Sequence, residues 1–163
     1  MKYLFSFFIF SFIISSGVYS QVPAATVPVF QLYRADKSVF TNKDMPKGKM
    51  RFFVFFDPEC EHCQHAIKTI NKEYAALKKT AAFIISLNDH TKISSFITAY
   101  GPNLKTQKNI IFLQDRLKQF VIKFGPRKYP SMFLYSAKNK LLQYEDDPEN
   151  IFMLLNIINK GSQ

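Results

Sequence analysis

The chain has 163 residues, of which 47% are hydrophobic, and it carries a formal net charge of +10. This length suits one ordinary domain with its own core, and the sequence contains no internal repeat or long linker that would divide it. The lysines are scattered between apolar positions and the aromatic residues fall inside apolar runs, a pattern that excludes a nucleic-acid-binding face. We expect the charge to serve solubility or attraction to acidic partners.

Residues 1–20 have the pattern of a secretory signal peptide. Lys2 precedes an apolar run over residues 4–14, and this run is shorter than the roughly 20 residues that a membrane span needs. We predict cleavage before Gln21 and a mature domain over residues 21–163. The protein would then be exported to the periplasm or cell envelope, or secreted, where disulfides persist. A retained segment would instead anchor it to a membrane.

The first half of the mature chain predicts a hairpin, a buried strand and a helix. Residues 27–40 hold two short β-type segments around the turn residues Ala35, Asp36 and Lys37. The apolar run RFFVFF, at residues 51–56, suits a strand buried on both faces. After Pro58, apolar residues recur at spacings of three and four, which predicts an amphipathic helix. Its apolar positions are Cys63, Ala66, Ile67, Ile70, Tyr74 and Leu77.

The second half alternates in the same way. Residues 81–87 form a second buried strand, residues 92–100 a helix, and the short run NIIFLQ either a strand or part of a loop. A helix over residues 115–124 and a hairpin made by SMFLYS and KLLQYE follow, and a last helix begins near Asp147. Alternating strands and helices predict the α/β class, with a central mixed sheet covered by helices on both faces and an N-terminal β-hairpin.

The chain has two cysteines, and the spacing CxxC places both at the start of the first helix. Cys60 falls at the helix N-terminus, where unpaired backbone N–H groups and the positive end of the macrodipole favour a thiolate, which is the nucleophilic form. Cys63 lies on the apolar stripe and is expected to be shielded. One cysteine is thus offered to a substrate, and the other is held back to resolve a mixed disulfide.

Two residues between the cysteines are expected to tune this chemistry. A protonated His62 would stabilise the Cys60 thiolate, whereas Glu61, together with Glu59, would oppose it by like-charge repulsion. The sequence does not show whether these charges together raise or lower the Cys60 pKa, and this balance decides whether the pair acts as a reductant or an oxidant.

Other interpretations of the CxxC motif remain. A purely structural disulfide across so short a loop would add little stability. A copper or zinc carrier could use Cys60, Cys63 and one nearby histidine, although we assign no metal ligands. The third alternative is a non-catalytic domain that binds a partner beside an inert cysteine pair.

The segments FFDPECEHC and KYPSMFLY, in the order strand, CxxC helix, strand, helix, proline, hairpin and helix, resemble the thioredoxin-like family, specifically its exported TlpA-like and ResA-like thiol:disulfide oxidoreductases. The resemblance extends over about residues 27–159. It implies a peptide groove in which Tyr129 pairs with substrate backbone, with Pro130 in the cis form against the cysteines. Cys60 would be the attacking thiol and Cys63 the resolving one.

The same resemblance implies protein thiols or disulfides as substrates, a separate redox partner, and no cofactor beyond the two cysteines. The chain departs from thioredoxin in two ways: it has no tryptophan, and Val54 stands where thioredoxin has a buried acid. The histidine before the second cysteine is similar to that of the oxidant DsbA, while the scaffold resembles reductants. We therefore favour reduction only slightly over oxidation.

Overall fold

The structure is a computed structural model that describes residues 21–161. The predicted signal peptide, residues 1–20, lies outside the described residues. Within residues 21–161, no helix has the length and apolar character needed to cross a membrane.

Strands and helices alternate along the described part of the chain. The elements in chain order are β1 (Gln31–Tyr33), β2 (Val39–Thr41), β3 (Arg51–Phe55), α1 (Glu61–Lys72), β4 (Ala81–Ser86), α2 (His90–Tyr100), β5 (Ile110–Gln114), α3 (Gln119–Phe124), β6 (Ser131–Tyr135), β7 (Leu141–Glu145) and α4 (Ile151–Lys160). Short 3-10 turns connect several of them, including Tyr74–Lys79 after α1 and Pro102–Thr106 after α2.

All described strands join one mixed sheet in the order β2-β1-β5-β4-β3-β6-β7. Strand β3 lies inside the sheet, parallel to β4 on one side and antiparallel to β6 on the other. The β1–β2 and β6–β7 pairs are antiparallel hairpins, and their turns contain Lys37 and Asn139 in the left-handed region. This architecture confirms the predicted thioredoxin-like α/β fold, its mixed sheet and its N-terminal hairpin.

Both faces of the sheet are covered, which explains the continuous apolar run of β3. Phe52 and Val54 point into a core under α1, α2 and α4. Phe53 and Phe55 point into a second core under α3 and the N-terminal hairpin, which is rich in phenylalanine rings. Because side chains alternate across a strand, the consecutive apolar residues from Phe52 to Phe55 fill both cores. Strand β3 is buried along its whole length and gives the loop that follows it a fixed starting point.

Two helix boundaries differ from the sequence expectation. The predicted stripe of the first helix continues to Tyr74 and Leu77, but α1 ends at Lys72 and these two residues lie in a 3-10 turn. The helix predicted over residues 115–124 begins only at Gln119. Asp115 is the reason for the second difference, because its side chain turns back to accept hydrogen bonds from the first helical N–H groups.

Asp115 caps α3 from a buried position. Its carboxylate accepts from the N–H groups of Gln119 at 2.8 Å, Phe120 at 2.9 Å and Val121 at 3.4 Å, and its residue is only 1% exposed. These bonds satisfy donors that a helix leaves unpaired at its N-terminus.

We predict that Asp115→Ala lowers the free energy of unfolding by about 2 kcal/mol, because buried N–H groups lose their acceptor. Asp89→Ala is the matched control, since Asp89 caps α2 at an exposed position, accepting from Lys92 N–H at 2.9 Å. Water can replace that acceptor, so its loss is expected to be smaller. Chemical denaturation of the variants measures both, and equal losses would contradict a special role for the buried cap.

Candidate active site at the cysteine pair

Cys60 is the N-cap residue of α1, with an extended backbone at φ −91° and ψ 118°. Its carbonyl oxygen accepts from the N–H groups of Cys63 and Gln64, both at 3.1 Å, while its own N–H donates to the Asp57 carbonyl at 3.2 Å. The Cys60 side chain makes no capping hydrogen bond to the helix. The sulfur therefore lies at the positive end of the helix, and it is half-buried.

Cys63 lies one turn later and is completely buried in the core under α1. Burial raises the pKa of the Cys63 thiol strongly, the Cys60 side chain and the Asp57 charge raise it further, and a hydrogen bond from the Asp57 backbone opposes them. Both cysteines are free thiols in this structure. Their environments differ as the sequence predicts: one sulfur reaches the surface and the other is enclosed.

The loop before β6 lies against the exposed sulfur. The Cys60 thiol donates to the Tyr129 carbonyl oxygen, with 3.8 Å between the two atoms. The Tyr129–Pro130 peptide bond is cis, as the resemblance implies. The Tyr129 ring packs on Phe55 at 4.9 Å between centroids, and burial raises the pKa of its hydroxyl to about 12. The structure thus brings together Cys60, Cys63 and the Tyr129–Pro130 loop.

The two tuning residues lie in the first turn of α1, directly after Cys60. Glu61 and His62 are both exposed, and neither makes an ion pair or side-chain hydrogen bond within residues 21–161. His65 instead approaches the Glu149 carboxylate at 3.4 Å. The donors of the metal-carrier alternative are consequently not gathered: Cys63 is enclosed in the core, whereas both histidines face outward.

Sequence reasoning missed the partner of one carboxylate, Glu59, and the effect of another, Asp57. Glu59, expected to oppose the Cys60 thiolate, pairs with Lys92 of α2 at 3.1 Å, so part of its charge is offset. Asp57, which directly follows the β3 segment, carries the carboxylate charge that acts on Cys63 and Tyr129. Its position between an apolar strand and Pro58 was the available signal. Val54 is fully buried, and its hydrocarbon side chain cannot transfer a proton.

Arg127 and Lys128, the two basic residues that precede Tyr129, make contacts within the protein. Lys128 pairs with Asp146 at 3.4 Å. The Arg127 guanidinium lies over the Tyr144 ring at 5.2 Å, and its Nε donates to the Gln21 carbonyl at 3.3 Å. These contacts reduce the charge that the pair offers to a substrate.

Two grooves flank the cysteine pair. One, of about 320 Å³, borders Tyr129 and includes Phe55, Val121 and Lys118. The other, of about 400 Å³, runs between Pro58 and the exposed side of α2. Among the described residues, neither groove is lined by a cysteine, but each is lined by a residue next to Cys60: Tyr129, whose carbonyl accepts from the thiol, in one and Glu59 in the other.

The burial of the two thiols leads to a prediction about their reactivity. In the reduced protein at pH 8, iodoacetamide should modify Cys60 and leave Cys63 intact, because burial raises the pKa of Cys63 and excludes the reagent. Mass spectrometry of the Cys60→Ser and Cys63→Ser variants separates the two sites. Rapid modification of the folded Cys60→Ser variant would show that Cys63 is accessible.

Comparison with known proteins places the chain in a family. Residues 23–144 match the family model described as the AhpC/TSA family. No protein of curated function is similar enough in sequence to match.

Several solved structures share the fold at low sequence identity. Peroxidoxin BcpB from Mycobacterium tuberculosis is 11% identical, with a TM-score of 0.68 over 89% of this chain and 99% of that one. A secreted Mycobacterium tuberculosis disulfide oxidoreductase homologous to E. coli DsbE is 16% identical, with a TM-score of 0.63 over 78% and 95%. The exposed lipoprotein thioredoxin of Streptococcus pneumoniae is 18% identical, with a TM-score of 0.56 over 80% and 99%. The chain belongs to the AhpC/TSA family and is an oxidoreductase of the thioredoxin-like class.

Proposed function

We propose that the protein is an exported thiol:disulfide oxidoreductase that exchanges its Cys60–Cys63 pair with protein thiols and disulfides. The observation that carries the proposal is the unequal placement of the two sulfurs. Cys60 reaches the surface at a helix N-terminus, 3.8 Å from the Tyr129 carbonyl, and Cys63 is enclosed behind it. Membership of the AhpC/TSA family supports thiol chemistry at this position.

The reaction in the reducing direction has two exchange steps. The Cys60 thiolate attacks one sulfur of a substrate disulfide, a mixed disulfide forms, and the other substrate sulfur leaves as a thiolate that takes up a proton. Cys63 then loses its proton to water and attacks the Cys60 sulfur. A Cys60–Cys63 disulfide forms and the second substrate thiol is released, so two electrons pass to the substrate. A separate dithiol partner restores the reduced pair.

Substrate binding is assigned to Tyr129 and Pro130. No residue of the described range accepts a hydrogen bond from the Tyr129 N–H, so this donor is available to the backbone of an extended substrate. The groove beside Tyr129 and the groove beside Pro58 would receive the flanking side chains. Of the three cations that line the Tyr129 groove, Lys118 and Arg127 make no ion pair among residues 21–161, whereas Lys128 does.

The proposal also includes export of the protein and a preferred direction of electron transfer. We assign residues 1–20 to a signal peptide and residues 21–163 to the thioredoxin-like domain, and the structural relatives described as secreted and as an exposed lipoprotein support export. The pair is proposed to work slightly more readily as a reductant. The Glu59–Lys92 ion pair weakens the repulsion that Glu59 exerts on a Cys60 thiolate, which by itself shifts the potential toward oxidation. The slight preference for reduction therefore rests on the resemblance of the scaffold to reductants.

Substitution of each cysteine tests the order of the two steps. Cys60→Ser should abolish reduction of insulin disulfides, because the attacking sulfur is lost. Cys63→Ser should also lose turnover but accumulate a mixed disulfide through Cys60, since nothing resolves it. Non-reducing electrophoresis detects the trapped species. Full activity of Cys60→Ser would contradict the proposal, and a cysteine pair inert to all substrates would favour the partner-binding alternative.

Substitutions of Glu61 and His62, the two residues between the cysteines, should shift the reduction potential in opposite directions. His62→Ala should make the reduction potential more negative, because an imidazole that favours the thiolate is removed, and Glu61→Gln should make it less negative. Each shift should stay below about 30 mV, equivalent to about 1.4 kcal/mol, since both side chains are exposed and screened by solvent.

Equilibration of these variants with glutathione buffers measures the shifts. His65→Ala is the matched control, because His65 faces Glu149 at the surface, away from Cys60. A His65→Ala shift as large as that of His62→Ala, or shifts of the same sign for His62→Ala and Glu61→Gln, would remove the tuning roles.

A further inference from the structure

Strand β5 has an edge that the sheet leaves partly open. It pairs with β4 along its whole length, from Ala82↔Ile110 to Ser86↔Gln114. On its other side, β1 pairs with it through Tyr33↔Gln114 alone. The next position on this side, two residues earlier in β5, is Phe112, and no strand within residues 21–161 lies opposite it. The side chains of Ile111 and Phe112 are only half-buried.

The hydrogen-bond pattern identifies which backbone groups are unpaired. Ala82 N–H donates to the Asn109 carbonyl at 2.9 Å and Asp115 N–H donates to the Ser86 carbonyl at 2.8 Å, so the odd-numbered positions of β5 face β4. Ile110, Phe112 and Gln114 therefore face the other edge. Ile110 N–H is bonded to the Gln107 carbonyl at 3.1 Å.

That leaves the N–H and C=O of Phe112 and the C=O of Ile110 without a backbone partner in the described part of the chain. The cause is the early end of β1. The chain turns after Tyr33, where Arg34 N–H donates to the Ser38 carbonyl at 2.9 Å. An open strand edge of this kind is a template for another extended segment.

The open edge lines a cavity of about 330 Å³ with a distinct chemistry. Its floor is apolar, formed by Ile93 and Ile97 of α2 together with Phe112. Its rims are basic, since Arg34 and Lys105 line it and no acidic residue of the described chain does.

Neither rim cation is neutralised by an ion pair within residues 21–161. The Arg34 guanidinium lies 4.7 Å from the Phe40 ring centroid, and Lys105 donates to the Thr98 hydroxyl at 2.9 Å. Hydrogen bonds from Ser38 lower the pKa of Asp36, and hydrogen bonds from Thr41 lower the pKa of Asp44. The Arg34 charge makes a smaller contribution to both shifts. Arg34 therefore keeps charge for an external group.

A second cavity of about 420 Å³ continues the basic character. It shares Arg34 and His90 with the first and adds Lys37 and Arg116. Its one acidic lining residue, Asp89, is occupied in capping α2. The His90 ring makes a hydrogen bond with the Tyr33 carbonyl at 3.0 Å, at the last paired position of β1.

We propose that this β5 edge binds an extended, acidic segment of a partner protein as an added strand. The segment would pair with the backbone of Phe112, place apolar side chains over Ile93 and Ile97, and direct alternate acidic side chains to Arg34 and Lys105. An edge donor and acceptor spaced for a strand select a peptide over a lipid or a small anion. The net charge of +10 opposes a second copy of this chain as the occupant.

The test uses a short peptide, blocked at both ends, that alternates glutamate with valine. In the free protein, the Phe112 amide should exchange with solvent faster than those of Ile111 and Leu113, and saturation with the peptide should slow it. A peptide methylated at its central amide nitrogen, or one with lysine in place of glutamate, should bind at least about tenfold more weakly. Nuclear magnetic resonance follows both the exchange and the affinity.

Charge-reversal variants test whether Arg34 and Lys105 attract the acidic peptide. The double variant Arg34→Glu, Lys105→Glu should lose at least about tenfold in affinity, since attraction becomes repulsion. Lys138→Glu is the control, because Lys138 lies in the β6–β7 turn outside both cavities, and it should bind as the wild type does. Circular dichroism confirms that each variant is folded.

Four outcomes would overturn the proposal: a Phe112 amide already protected in the free protein, no protection by the peptide, equal binding of the lysine peptide, or self-association that protects Phe112 without peptide. Protection by phosphatidylglycerol vesicles but not by the peptide would also overturn it and assign the edge to a lipid surface. The Cys60→Ser, Cys63→Ser double variant should bind the peptide normally. Failure of the redox proposal and failure of this one are thereby distinguishable.

Discussion

The chemistry of this protein depends on the fixed position of the α1 N-terminus. Strand β3 is buried on both faces, so the chain leaves the sheet at one place. Helix α1 is held by Ala66, Ile67 and Ile70, all fully buried in the same core as Cys63. Between these anchors, the Asp57–Cys60 turn closes with a backbone hydrogen bond of 3.2 Å. Cys60 can hold its sulfur at the helix end because the elements on either side cannot shift.

The difference between the two cysteines follows from helical geometry. A residue at the N-cap lies just outside the first helical turn, whereas a residue three positions later falls on the face that the amphipathic pattern turns toward the core. The same packing that buries Cys63 raises its pKa and keeps external reagents away. In the proposed reaction, Cys63 attacks the Cys60 sulfur once that sulfur is joined to the substrate in a mixed disulfide. The packing of α1 against the core therefore both stabilises the fold and accounts for the proposed order in which the two cysteines react.

The order of elements could be predicted because each depends on local pattern. The RFFVFF run, the stripe from Cys63 to Ile70 and the two hairpin turns each gave a correct element. What could not be predicted depends on contacts between residues far apart in sequence. The Lys128–Asp146 and Glu59–Lys92 ion pairs and the Arg127–Tyr144 contact change the charges around the site, and no periodicity reports them. Asp115 shortened α3 because it is a buried cap, while sequence pattern alone reads it as the first helical residue.

A redox titration of the wild-type protein tests the central claim most directly. The protein is equilibrated with glutathione buffers of graded potential and quenched in acid, and the thiols are counted by alkylation and mass spectrometry. We expect one two-electron transition in which both thiols disappear together as the Cys60–Cys63 disulfide forms, with a potential on the reducing side of that of protein disulfide isomerase, about −180 mV. Persistence of both thiols under all oxidising conditions, or a stable glutathione adduct on Cys60 with Cys63 still free, would contradict a paired attacking and resolving role.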